Sequence, residues 1–148
     1  EIVKSSFFVP YIGATQVTAA KRKVPCTEMG WEVYPPAMYH LLKKLGSYKQ
    51  IKKIIVTENG AAFPDEAVHG GVNDALRTKY IQDNLQQLLK AKEEGIKVEG
   101  YFVWSLTDNF EWAEGYHPRF GLIYVDFDTQ QRIIKDSGLW FRKFLENK

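Results

Sequence analysis

Cysteine, histidine and any dominant charge are what this sequence has least of, and each shortage removes a class of function. The single cysteine, Cys26, cannot form an internal disulfide and is read as structurally inert. His40, His69 and His117 are scattered without zinc-ligand spacing, so no metal or redox cofactor is implied, and His117 is assigned no catalytic role. No apolar run approaches the roughly 20 residues needed to span a bilayer. The start is not leader-like, although the chain begins with Glu1, and the cytoplasm is the default compartment. Twenty Lys and Arg against eighteen Asp and Glu leave a net charge of +2, with Lys52-Lys53 the nearest thing to a basic patch. Neither nucleic acid nor a membrane is therefore an implied partner.

Aromatic residues are present in excess. Four Trp, eight Tyr and nine Phe make 14% of 148 residues, more than a core of this size needs. Aromatic faces are also what pyranose rings stack on, so the surplus hints at a binding cleft. The rest of the composition is that of one ordinary globular domain.

Hydrophobic periodicity divides the chain into alternating elements. The apolar stretch from Ile2 to Val9 reads as a short strand followed by a loop. Pro35-Pro36 opens a helix over 36–45, with Met38, Leu41, Leu42 and Leu45 at helical spacing and Gly46 as a stop. Ile51 to Val56 ends as a β-branched run without polar alternation, as expected of a strand buried on both faces. Asp74 is placed to cap a second helix, with Tyr80, Ile81, Leu85, Leu88 and Leu89 on one face and Gly95 as terminator. Lys97 to Ser105 reads as another buried strand. Strand, helix and strand form a βαβ unit with parallel strands. A hairpin about Asp128-Thr129-Gln130 and an amphipathic helix from Leu139 to Leu145 close the chain. The fold class is α/β, in one segment with no internal repeat or interdomain linker. Two parallel strands cannot close a barrel, so the sheet must continue beyond this chain.

Two clusters carry the candidate chemistry. Glu58 follows an apolar strand and precedes Asn59-Gly60, so it projects from a carboxyl strand end, where α/β barrels place catalytic groups. The plainer alternative is a solvated turn residue beside an Asn-Gly pair that supplies positive φ. The second cluster, Trp104-Ser105-Leu106-Thr107-Asp108-Asn109-Phe110-Glu111-Trp112, mixes two Trp, two acids and an amide. Carboxylates and amides grip sugar hydroxyls while indoles cover the C–H face of a ring, but core tryptophans with surface acids would give the same composition. Trp31, Tyr116 and Phe120 are packing anchors or cleft walls.

Thr57-Glu58-Asn59-Gly60, the segment from Trp104 to Trp112 and Arg119-Phe120-Gly121-Leu122-Ile123-Tyr124-Val125-Asp126 together closely resemble the C-terminal part of family one glycoside hydrolases, the β-glucosidase family. The resemblance runs from about Val24 to the C-terminus and rests on the order and spacing of the three segments. It implies the C-terminal part of a (β/α)8 TIM barrel, strands seven and eight with their helices, and hydrolysis of β-glucosides or related β-glycosides with retention. By that resemblance Glu58 is the nucleophile. Glu111 binds sugar hydroxyls, Trp104 and Trp112 lie beside the sugar, Phe120 lines the pocket, Asn59 joins the substrate-binding set, and Trp31 lines the leaving-group side. Thr107 departs from the commoner Leu.

Retaining hydrolysis needs two carboxyl groups about 5–5.5 Å apart and no cofactor. The family's second carboxyl lies in an Asn-Glu-Pro motif that occurs nowhere in this sequence. The expected partner is thus an N-terminal portion of the same enzyme, which supplies the acid/base. A catalytically inactive sugar-binding or structural piece is the alternative.

Overall fold

A computed structural model describes residues 3–5 and 14–147, in two compact units, Glu1–Tyr34 and Pro35–Lys148. In the first, β1 (Val3–Ser5) pairs antiparallel with β2 (Ala14–Gln16). The remainder of the strand and loop expected from Ile2 onward falls largely outside the described residues. Thr18 caps the single-turn α1 (Ala19–Arg22) by accepting the Lys21 N–H at 3.3 Å. Arg22 donates to both oxygens of Glu32 at 3.1 and 2.7 Å, which holds that carboxyl below its ordinary pKa. Cys26 carries a free, exposed thiol.

The second unit is built on one parallel strand pair. Pro36 has the backbone angle a first helical turn requires, and α2 (Pro36–Gly46) starts there. Gly46 is its last residue for a packing reason: a β-carbon there would lie 2.6 Å from Ile96 Cδ1. Then follow β3 (Ile54–Asn59), a small hairpin of β4 (Ala67–Val68) and β5 (Gly71–Val72), and α3 (Ala75–Glu93). Next comes β6 (Val98–Val103), then the antiparallel pair β7 (Ile123–Val125) and β8 (Arg132–Ile134), and last α4 (Asp136–Glu146). The β4–β5 hairpin has no hydrophobic alternation to announce it. Its turn is made by His69 and Gly70, both at positive φ.

β3 and β6 run parallel, with α3 as their crossover. Leu42 of α2, Leu88 and Ala91 of α3 and Val98 of β6 form one buried cluster, joined by Ile54, Val56 and Tyr101. Ile81, Leu85 and Leu122 form a second, against which Tyr80, Val103 and the α4 rings Trp140, Phe141 and Phe144 pack. Both clusters cover the same side of the sheet. On the other side Ile55 is 49% exposed and Phe102 60%. The expectation of strands buried on both faces is therefore corrected: an apolar run shows that both faces are built for burial, and here only the helix side has its cover.

Two further expectations change. Asp74 does sit at the α3 N-terminus, but its carboxylate makes no capping bond. It pairs instead with Arg77 at 2.6 Å and accepts from the Ser137 N–H at 2.8 Å and the Ser137 hydroxyl. α4 begins at Asp136, three residues before the predicted start, because Ser137 is held there by Asp74.

Candidate active site

Because β3 and β6 are parallel, their carboxyl ends lie together, and the two sequence clusters follow from those ends. Glu58 is the penultimate residue of β3 and is exposed. Among the described residues no hydrogen bond or ion pair engages its carboxylate. The ladder pairs Val56 with Tyr101 and Asn59 with Val103, so three steps along β3 match two along β6. The extra residue is a bulge at Thr57-Glu58, the device by which a strand re-aims a side chain.

Beyond the bulge the chain is pinned. The Trp104 N–H donates to the Asn59 carbonyl at 3.0 Å. Tyr101 Oη donates to Asn59 Oδ1 at 2.8 Å, and Asn59 Nδ2 donates to Tyr80 Oη at 3.4 Å. Burial raises both phenol pKa values, so both tyrosines stay neutral, Tyr101 as the donor and Tyr80 as the acceptor. Gly60 does not have positive φ. It is glycine because a β-carbon would fall 1.7 Å from the Trp104 carbonyl oxygen. The solvated Asn-Gly turn is thus replaced by a tight junction between the two clusters.

The tryptophan segment folds back on itself. Its Trp104–Ser105 peptide is cis. The Trp104 indole N–H donates to Glu111 Oε1 at 3.1 Å, which places one carboxylate beside one ring. Glu111 heads the 3-10 turn Trp112–Glu114, and Trp112 stands 87% exposed. Phe110 meets Tyr116 edge-on at 5.3 Å and Tyr116 meets Phe127 at a tilt at 4.5 Å, and the Arg119 guanidinium lies 4.1 Å from the Tyr124 ring. Phe120, expected to line the pocket, is only 3% exposed and so offers almost no ring surface to a ligand. Asn59, placed in the substrate-binding set, gives both ends of its amide to tyrosines. Trp31 is 55% exposed and lies in the first unit, where Thr27 brackets it through two hydrogen bonds.

Behind these loops runs an ion network that sequence reasoning missed. Arg119 pairs with Asp108 at 2.7 Å, Asp108 with Lys135 at 2.7 Å, and Lys135 with Asp65 at 2.6 Å. Asp65 pairs with Arg77 at 2.9 Å, and Arg77 with Asp74. Three acids meet three cations, and every side chain except Arg119 is essentially inaccessible. Burial, then the charge of Arg77, draws the Lys135 pKa down, while Asp108 and Asp65 oppose that shift. Asp108 also accepts from the Gly121 N–H at 2.9 Å, so the network fixes the loop between Trp104 and Gly121 from below. No local signal marks it, since Asp65, Asp108 and Lys135 each sit beside another polar residue, Glu66, Asn109 and Asp136, and the partners are up to 70 residues apart. Among the described residues no group of His, Cys, Asp and Glu is arranged to hold a metal, and no helix is long and apolar enough to cross a membrane.

A parallel pair with exposed carboxylate and indoles at its carboxyl ends, covered by helices on one side, is part of a (β/α)8 barrel of the glycosidase class. The chain belongs to Glycosyl hydrolase family 1, whose profile it matches over residues 6–148, further toward the N-terminus than the sequence motifs reach. It is 47% identical over 133 residues to Beta-glucosidase A of Thermotoga maritima, covering 89% of this chain and 30% of that protein. It is 44% identical over 127 residues to a 6-phospho-beta-galactosidase of Clostridium acetobutylicum, covering 85% of this chain and 27% of that one. The solved family 1 β-glucosidase from Thermotoga maritima superposes with a TM-score of 0.92 at 45% identity, over 98% of this chain and 32% of that one. The chain thus spans about a third of the length of its relatives.

Proposed function

We propose that this chain supplies the nucleophile and part of the sugar-binding surface of a retaining β-glycosidase, with β3 and β6 as the seventh and eighth strands of a barrel completed by an N-terminal portion. In the first step a Glu58 oxygen attacks the anomeric carbon as the bond to the leaving oxygen breaks, and an acid from the N-terminal portion gives that oxygen its proton. In the second, water activated by the same residue, now a base, displaces Glu58 from the glycosyl ester. Glu111, steadied by Trp104, accepts from sugar hydroxyls, and Trp104 and Trp112 offer indole faces. The observation that carries this reading is an unengaged carboxylate on a bulge at a carboxyl strand end, joined through Gly60 to the loop that holds Glu111.

The substrate favoured is a neutral β-glucoside or related β-glycoside. Residues 104–118 contain neither Lys nor Arg, Asp108 and Arg119 are paired with each other, and Glu111 and Glu114 remain as the acids of the loop. A sugar phosphate would meet like charge. To test the function, the chain is combined with the N-terminal portion of the Thermotoga maritima enzyme and assayed on an aryl β-glucoside. Activity is expected to fall about 10⁴-fold in Glu58→Gln, and a mechanism-based fluorosugar is expected to esterify Glu58. Activity unchanged by that substitution would remove the nucleophile assignment. The absence of a second candidate acid in an Asn-Glu-Pro setting favours, for the chain alone, weak sugar binding without turnover. Turnover by the isolated chain would contradict that.

A further inference from the structure

Resting on the reading of Glu58 as nucleophile, we propose that Tyr101, Asn59 and Tyr80 are positioning residues that fix the aim of the Glu58 carboxylate by clamping the far side of its bulge. A bulge leaves Thr57 and Glu58 without the regular ladder bonds that set a strand residue's direction. Something else must hold the backbone at that point. The next residue, Asn59, is held at its carbonyl by the Trp104 N–H, at its amide oxygen by Tyr101 and at its amide nitrogen by Tyr80. The two tyrosines come from different elements, β6 and α3, and both rings are anchored in the buried cluster beneath. The clamp therefore anchors the chain immediately after the bulge.

The consequence is chemical because attack at an anomeric carbon requires reacting atoms about 3–3.5 Å apart, and a misplacement of about 1 Å costs on the order of a hundredfold in rate. Asn59 never needs to touch the sugar in this role. It acts through the peptide that it shares with Glu58, and Tyr101 acts through Asn59.

The test uses the chain joined to the N-terminal portion of Beta-glucosidase A from Thermotoga maritima. Tyr101→Phe removes one hydroxyl and keeps the ring. The expected result is a kcat lower by about ten- to a hundredfold at an unchanged KM for the aryl glucoside, with esterification by a fluorosugar slowed by the same factor. The number of sites that the fluorosugar titrates stays that of the parent, which a general loss of folding would not allow. Asn59→Ala repeats the measurement through the other end of the clamp and is expected to show the larger loss. A kcat in both variants equal to the parent's, with the parent labelled on Glu58, would overturn the positioning role alone. So would a loss matched by fewer titratable sites. A parent that is labelled elsewhere or not at all would overturn the nucleophile reading and this inference with it.

Discussion

At the scale of single residues, two glycines separate conformational need from spatial need. Gly60 has an ordinary φ, yet no side chain fits between it and the Trp104 carbonyl. Gly71, in the β4–β5 hairpin, would place a β-carbon 3.8 Å from the Val68 oxygen, an ordinary contact. Gly60→Ala is expected to lower unfolding stability by about 1–3 kcal/mol or more, and Gly71→Ala to stay within about 0.5 kcal/mol, both read from urea midpoints. Equal midpoints would show that the junction between the clusters can open. Lys135 is the second test at this scale. Lys135→Met leaves Asp65 and Asp108 facing each other without their shared cation and is expected to cost about 3–5 kcal/mol. Replacing the exposed Lys79, whose pair with Asp83 is solvated, is expected to cost less than about 1 kcal/mol.

At the scale of elements, legibility followed the range of the forces involved. α2, α3, β3, β6 and the β7–β8 hairpin were readable because their apolar period and end signals lie within a few residues of one another. The start of α4 was not, because what fixes it is Asp74, 63 residues earlier, bonded to Ser137. Asp74 itself looked like a cap for the same reason: its position is local and its partner is distant. The positions of Glu58, Glu111 and Trp104 were legible in the motifs, whereas the part played by Asn59 depended on tyrosines 21 and 42 residues away. A clasp between α2 and the end of α3 offers a pH test. The Lys43 ammonium, and after it the Tyr39 phenol, hold the Glu94 carboxyl below its ordinary pKa. Because the folded value is the lower one, the ionised form stabilises the fold above the ordinary carboxylate value of about 4.3. That contribution is lost as pH falls through the folded value. Glu94→Gln is therefore expected to unfold at lower urea than the parent near neutral pH and to match it in acid. A difference independent of pH would assign the effect to packing.

At the scale of the whole molecule, the governing fact is a sheet of two parallel strands with one covered face. Ile55, Phe102 and Trp104 form a contiguous apolar strip that no described element covers, and Leu106 and Trp112 extend apolar surface into the loop beyond. Parallel sheets are stable when both faces are shielded, and an uncovered apolar face with free strand edges recruits other chains. The same surface that the rest of a barrel would bury is, on the isolated chain, an association site. Sedimentation of the isolated chain is expected to show mass rising with concentration, and Phe102→Glu, which sets a charge in the middle of the strip without touching the helix-side core, is expected to reduce that rise. Addition of the N-terminal portion is expected to suppress it as well, by covering the strip. A parent that stays monomeric at all concentrations would mean that the strip is shielded in solution and is not an association site.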